Sequence, residues 1–319
     1  MRRCALLFAF ISLCLPITVF SQERTRTPDA ALNHFNNANK KMDHGDLDGA
    51  IEELTRAISL SSHLDGSNTS NRHIGNSFNE YSGEEIKVID PFTANAYNNR
   101  GLVRFRKHDY TGAVEDYDEA LRIRPGMPSA YLNRAAALRA LGQLDASMRD
   151  LDRALALKKD FDKAFSNRGS LKLDLGDTKG ALEDLNRSIE LNDRLPEAFY
   201  QRGYAHFAVK DYDAALADFE RAVHLDPNMA WAYQGHGTVL MAKDQMPKAI
   251  EDFTRALERD PQLVWAYVNR GLSLVYLGKE DDAQKDFDEC LKLRPDLKPE
   301  LDSRIDLARE LRRQRKPLQ

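Results

Sequence analysis

Residues 94–127 read ANAYNNRGLVRFRKHDYTGAVEDYDEALRIRPGM, and variants of this stretch recur at a fixed interval along most of the chain. The interval is 34 residues, and six copies follow one another without a gap from Ala94 to Leu297. A looser copy at residues 31–64 precedes them, which gives seven copies. A repeat of this length predicts a stack of helix-turn-helix units rather than a single globular core.

Each copy predicts two antiparallel helices, A and B. Small residues recur on both halves, as at Gly101 and Ala113, and they allow the two helices to pack closely because a larger side chain there would overpack the contact. A large aromatic residue such as Tyr97 is expected to fill the space between neighbouring units. Glycine often separates the two halves, as at Gly142, and proline near the end of a copy, as at Pro125, stops helix B.

This arrangement of small, large and proline positions resembles the tetratricopeptide repeat. The resemblance implies an all-α fold, a right-handed superhelical solenoid of antiparallel helix pairs. The predicted repeats are 31–64, 94–127, 128–161, 162–195, 196–229, 230–263 and 264–297. Residues 298–319 begin the pattern again without a second half, so they predict a C-terminal capping helix followed by a basic tail.

The N-terminus has the pattern of a secretory signal peptide. Two arginines precede an apolar run from Cys4 to Phe20, which predicts cleavage after residue 21 and export to the periplasm or the exterior. An uncleaved membrane anchor is the alternative, although a spanning helix usually needs about 20 apolar residues and Pro16 interrupts this run. Residues 22–30 predict a polar linker. Residues 65–93, rich in Ser, Asn and Gly, predict an insertion that is disordered or loosely packed.

The sequence argues against several classes of function. It contains no phosphate-binding loop, no zinc-binding histidine pair and no nucleophile elbow, so we expect no catalysis, no metal and no cofactor. A net charge of -4 disfavours a nucleic-acid partner, which requires a basic surface. Membrane contact is expected only if the N-terminal segment stays uncleaved.

An aspartate follows the helix A arginine by 16 residues in five of the repeats. In an antiparallel helix pair these positions face each other, and an arginine fork can donate two hydrogen bonds to one carboxylate. We interpret the set as structural ion pairs, and the alternative is a charged row facing a ligand. The predicted pairs are Arg100–Asp116, Arg134–Asp150, Arg168–Asp184, Arg202–Asp218 and Arg270–Asp286, and His236 with Asp252 takes the same positions in the sixth repeat.

The family resemblance implies binding of a peptide or partner protein along the concave face that the A helices line. The residue before the arginine is an amide in most repeats, which is similar to the asparagine series of the O-linked N-acetylglucosamine transferases, where amides hold a peptide backbone. An amide both donates and accepts hydrogen bonds. A spacer between adjacent units is the equal alternative. This amide series comprises Asn36, Asn99, Asn133, Asn167, Gln201 and Asn269, and Gly235 interrupts it.

Aromatic residues gather on the A helices of the fifth to seventh repeats. Trp231 and Trp265 occupy the second position of their helices, and Tyr200 and Tyr204 extend the same surface in the fifth repeat. We expect an apolar side chain of the partner to dock there, and ordinary packing between repeats is the alternative. The sequence therefore predicts an exported, non-catalytic protein-binding scaffold. A targeting or assembly factor of envelope biogenesis or secretion, or a regulatory subunit of an enzyme complex, would show the same features.

Overall fold

The computed structural model describes residues 29–62 and 91–314, and every regular element in these ranges is a helix. The α-helices are α1 (Asp29–Asp43), α2 (Leu47–Ser62), α3 (Pro91–Arg106), α4 (Tyr110–Ile123), α5 (Pro128–Ala140), α6 (Leu144–Leu157), α7 (Asp162–Asp174), α8 (Thr178–Leu191), α9 (Pro196–Ala208), α10 (Tyr212–Leu225), α11 (Ala230–Ala242), α12 (Met246–Arg259), α13 (Val264–Tyr276), α14 (Glu280–Leu293) and α15 (Lys298–Gln314), with a short 3-10 helix at Pro295–Leu297 before α15. The predicted all-α class is confirmed. The predicted signal peptide, residues 22–28 of the linker, residues 65–90 of the insertion and the last five residues of the tail lie outside the described ranges.

The helices pair in chain order, an odd-numbered A helix with the even-numbered B helix that follows it. Local sequence explains where they begin. Pro128 and Pro196 open α5 and α9, because the missing N–H of proline costs nothing in a first helical turn. Asp109 and Asp177 cap α4 and α8 by accepting a hydrogen bond from the backbone N–H three residues further on. Two A helices start ahead of the predicted repeat boundaries, α1 at Asp29 and α3 at Pro91.

The chain divides into two compact units, residues 1–167 and 168–319. In the first unit, α2 packs on α3 and α4 packs on α5, and the A helices α3 and α5 also contact each other. The ring of Tyr117 on α4 fills the space against Gly101 on α3, where a Cβ atom would lie only 2.7 Å from the ring. This contact is the close helix approach that the small residues predict.

In the second unit, three A helices, α9, α11 and α13, lie side by side, and each packs against its own B helix. Phe219 of α10 is fully buried and its ring lies between Gly203 of α9 and Gly235 of α11. The C-terminal helix α15 packs on α13 through the buried Leu301. This helix is the cap that the sequence predicts after the last repeat.

Glycine does not occupy every turn between helices A and B. Four turns use glycine in the left-handed backbone region, with φ angles between 75° and 84°. Three turns place another residue there, namely His108, Lys210 and Asp244, with φ angles of 63°, 63° and 59°. A side chain in this region crowds the following carbonyl oxygen and costs about 1 kcal/mol. The second, fifth and sixth repeats therefore carry backbone strain that the glycine-containing repeats avoid.

We expect Lys210→Gly to raise the free energy of unfolding by up to about 1 kcal/mol, because relief of strain outweighs the extra freedom of glycine in the unfolded chain. The matched reverse change is Gly176→Lys, at a left-handed turn of the same unit with no atom near its missing Cβ. It should lower the free energy of unfolding by a similar amount. Urea denaturation followed by circular dichroism measures both changes, and two variants with the parent's midpoint would contradict the strain.

Candidate functional site

The structure brings together all five predicted arginine–aspartate pairs. In each pair Nε and Nη2 of the arginine donate to the carboxylate, and the aspartates are between 2 and 6% exposed. The shorter of the two contacts is 2.7 Å for Arg100–Asp116, 2.7 Å for Arg134–Asp150, 2.8 Å for Arg168–Asp184, 2.7 Å for Arg202–Asp218 and 2.6 Å for Arg270–Asp286. His236 takes the arginine's place with Nδ1 2.6 Å from Asp252.

A second link from the same arginines joins neighbouring repeats, and sequence reasoning missed it. Nη1 of Arg134 donates to Asp118 over 2.5 Å, and Nη1 of Arg202 donates to Asn186 over 2.8 Å. Each acceptor lies on the preceding B helix, 16 residues before the arginine. The sequence does contain a signal for this link, because a polar residue, Asp118 or Asn186, precedes each arginine by 16 residues. Each of these two guanidinium groups donates to its own B helix and to the preceding B helix. They therefore do not form a row of charges that is free to face a ligand.

Asp184 holds two cations. Besides the fork from Arg168, which uses both oxygens, Nζ of Lys172 lies 2.8 Å from Oδ2, the oxygen that also accepts from Nε of Arg168. Burial by itself raises the pKa of Asp184, but hydrogen bonds from Arg168 and Lys172 outweigh it, and the pKa is lowered below its ordinary value. The carboxylate is therefore charged at neutral pH and stabilises the folded state.

Two members of the amide series, Asn99 and Asn133, form hydrogen bonds inside the first unit. Asn133 is 1% exposed and donates to Asn98 over 3.0 Å, Asn98 donates to Asn99 over 3.4 Å, and Asn99 donates to Asn39 over 3.4 Å. These bonds tie α1, α3 and α5 together. The prediction that Asn133 lines an open groove is wrong, because its side chain lies inside the unit. Asn98 was missed as a hydrogen-bond partner since a single asparagine at that position has no repeat-wide pattern.

In the second unit the remaining amides are free. The side chains of Gln201 and Asn269 are half-buried, and within the described part of the chain neither forms a hydrogen bond. Asn167, half-buried at the end of the first unit, likewise has none within these ranges, whereas Asn36 is exposed. The interruption at Gly235 has a steric reason, since a Cβ there would lie 2.5 Å from the ring of Phe219.

Two tyrosines form an aromatic cluster beside these amides. The rings of Tyr200 and Tyr204 meet edge to face at 5.0 Å, and both stand edge to face against Phe219 at 6.1 and 5.2 Å. Burial raises the pKa of both hydroxyl groups, so both are protonated at neutral pH. Trp231 is half-buried and packs near the start of α11 against apolar residues of α12 and α13. Tyr200 and Tyr204 are half-buried like Trp231, so part of each of the three side chains stays accessible.

Trp265 has a different environment from the one predicted. The capping helix α15 covers it, with the guanidinium of Arg304 5.0 Å from the ring centre. Trp265 also shares a small cleft between α13 and α15 with Val268, Leu301 and Arg304. Trp265 is half-buried and its ring contributes to the packing of the cap, so its role as an anchor for a partner stays a prediction. The sequence showed that a cap exists but not which side chain it covers.

The described residues, 29–62 and 91–314, contain no candidate metal site and no candidate membrane span. No group of three or more His, Cys, Asp or Glu side chains there could hold a metal ion. No helix in these ranges is both long enough and apolar enough to cross a bilayer. Cys290, the free cysteine of α14, is fully buried, and burial raises the pKa of its thiol.

Comparisons with solved structures show the same fold. A tetratricopeptide repeat protein from Parabacteroides merdae is 18% identical, with a TM-score of 0.61 over 88% of this chain and 99% of that one. The Cut9-Hcn1 hetero-tetramer of APC/C gives a TM-score of 0.64 at 14% identity, over 86% of this chain and 55% of that one. Pseudomonas aeruginosa pilF gives 0.56 at 16% identity, over 64% and 92%. No curated protein matches the sequence.

Protein-family models identify the repeats directly. Three models, each described as tetratricopeptide repeat, match residues 94–127, 129–160, 162–194, 196–229 and 266–297. The predicted total of seven repeats stays a prediction. Since these matches together span more than half of its length, the chain belongs to the tetratricopeptide repeat proteins.

Proposed function

We propose that this protein is a non-catalytic scaffold that binds an extended segment of a partner protein on the A-helix surface of the second unit. One observation carries the proposal. Helices α9, α11 and α13 lie side by side and present accessible aromatic rings next to amides that have no partner. The surface is made of Tyr200, Gln201, Tyr204, Trp231 and Asn269.

The positions of these five residues favour one continuous face. They are the second, fifth, sixth and ninth residues of their helices, and this spacing places side chains on one stripe of a helix. Free amides can pair with a main chain whatever its sequence, because each amide both donates and accepts. Tyrosine and tryptophan bury large apolar areas at the centre of interfaces. The combination suits a peptide that is held by its backbone and anchored by an apolar side chain.

The proposal is tested with peptides selected by the wild-type protein from a random peptide library. Trp231→Ala with Tyr204→Ala should weaken binding of a selected peptide at least about 30-fold, which corresponds to roughly 2 kcal/mol or more for residues at the centre of an interface. The matched control is Glu183→Lys with Glu251→Lys, at exposed positions of the B helices α8 and α12. This control should bind as the parent does.

Circular dichroism establishes that both double variants are folded. If the folded aromatic variant binds normally while the B-helix variant loses binding, the outer helices are the working surface and the proposal fails.

We also propose that the protein is exported. The support is the sequence of residues 1–21, two arginines followed by an apolar run. The intact mass of the protein purified from its native host should correspond to a chain that starts at Gln22. A mass that includes residues 1–21 would instead indicate an uncleaved anchor.

A further inference from the structure

Gln234 of α11 carries a polar atom that the folded chain does not satisfy. The residue is 5% exposed, and its side-chain oxygen is buried with no hydrogen-bond partner within the described residues. Its side chain lies beside the hydroxyl of Tyr204: burial raises the pKa of that hydroxyl, while the neighbouring side chains of Tyr200 and Gln234 lower it. The oxygen of Gln234 is therefore an unsatisfied acceptor.

An apolar side chain at position 234 would give the folded protein a higher free energy of unfolding than glutamine does. The matching residue of the next repeat is Val268, which is 1% exposed and fully accommodated. A buried acceptor without a partner lowers the free energy of unfolding, and an apolar side chain of similar shape does not. The unpaired oxygen of Gln234 thus costs the free protein stability.

Gln234 lies on the surface proposed to bind the partner. It is the fifth residue of its helix, three residues after Trp231, and it contacts Tyr204 of the neighbouring A helix. Tyr204, which is half-buried, is the side chain next to this amide, so a shift of its ring would open the amide oxygen to a ligand. A ligand that donates a hydrogen bond would satisfy the oxygen.

The charges around this surface restrict the partner. Along α11 and α13 the only side chains able to carry a positive charge are His236 and Arg270, and both are held by aspartates of their B helices at 2.6 Å. Neither helix contains an aspartate or a glutamate. On α9 the charged or titratable side chains are Glu197, Arg202 and His206, of which Arg202 is held by Asp218 at 2.7 Å and His206 lies 3.8 Å from the same aspartate. A charged side chain buried against α11 would find no free counter-charge on that helix, which makes its desolvation unfavourable.

We propose that Gln234 is a specificity-determining residue that accepts a hydrogen bond from a main-chain N–H of an uncharged partner segment lying across α9 and α11. This inference rests on the proposed function and adds the chemistry of the partner: an extended, neutral peptide whose backbone donates to the side-chain oxygen of Gln234.

The test uses a peptide that the full-length wild-type protein selects from a random 12-residue phage library. The peptide is synthesised in its parent form and as a series in which each backbone amide in turn becomes an ester, which removes one N–H. Gln234→Met keeps nearly the same volume but removes the amide. Gln284→Met makes the same change at an exposed position of α14 and serves as the matched control.

We expect Gln234→Met to bind the parent peptide at least about tenfold more weakly while its thermal midpoint stays equal or rises. One ester should weaken binding to the wild-type protein by a similar factor and leave binding to Gln234→Met unchanged. Gln284→Met should match the wild type in both measurements, and the selected peptides should be neutral at their centre.

The inference is overturned if Gln234→Met binds the parent peptide as well as the wild type does, if every ester weakens both proteins equally, if the variant loses thermal stability together with affinity, or if charged peptides are selected. In these cases the proposed function stands. If no peptide is enriched, or if selected peptides bind the Trp231→Ala, Tyr204→Ala variant normally, the proposed function fails and the inference fails with it.

Discussion

Asp184→Asn is expected to lower the free energy of unfolding by about 3 kcal/mol, because it breaks a buried ion pair from one side. The carboxylate is 5% exposed and binds both Arg168, at 2.8 Å, and Lys172, at 2.8 Å. Removing its charge takes this buried carboxylate away from two partly buried cations. Denaturant unfolding followed by circular dichroism measures the loss.

The matched control is Asp282→Asn. Asp282 also pairs with a lysine, Lys285, at 2.9 Å, but both side chains are exposed, and exposed pairs contribute little. Its unfolding midpoint should equal that of the parent. A parent-like midpoint for Asp184→Asn as well would mean that the buried pair does not stabilise the fold.

The effect of Asp184 should also depend on pH in a defined direction. Its pKa is lowered in the folded state, so its stabilisation is complete above the unfolded value of about 4 and is lost as the pH falls through the lowered folded value. The difference in unfolding free energy between the parent and Asp184→Asn should therefore be constant near neutral pH and shrink below about pH 4.

Gly235→Asn is expected to destabilise the protein although it completes the amide series. Its Cβ would lie 2.5 Å from the ring of the fully buried Phe219, and overpacking of this kind costs about 1–3 kcal/mol or more. The better helix propensity of asparagine offsets only part of this cost. The thermal midpoint should fall below that of the parent.

A second substitution separates crowding from other causes. Leucine takes the place of Phe219 in two other repeats, as Leu151 and Leu185, which precede Asn167 and Gln201 by the same interval. Phe219→Leu should therefore restore part of the stability that Gly235→Asn loses. A Gly235→Asn variant as stable as the parent would show that the ring does not need this space.

The repeat interval made much of the fold predictable. A fixed period places the same residue types on the same helix faces. A contact between two aligned positions, such as Arg168 with Asp184, is therefore predicted in every repeat that keeps both residues. Gly203 against Phe219 follows in the same way, because the small and large residues recur in phase. Contacts that depend on the period are therefore accessible to sequence reasoning.

Contacts that depend on a single repeat were not predictable. The packing of α15 against Trp265 depends on the orientation of α15 on α13, and no repeated sequence position determines that orientation. The bond between Asn133 and Asn98 needs an asparagine that occurs at that position in one repeat only. The left-handed turn at Lys210 resembles an ordinary helix end in sequence, since lysine has no special preference for that backbone region. Candidate-site residues were hardest to predict because binding surfaces depart from the repeat pattern.

The central claim is that a partner binds to the A-helix surface of the second unit. Hydrogen–deuterium exchange of the full-length protein with and without a library-selected peptide tests it directly. We expect slower exchange in α9, α11 and α13 when the peptide is bound and unchanged exchange in α10 and α12. Slower exchange confined to the B helices, or to residues of the first unit, would contradict the claim.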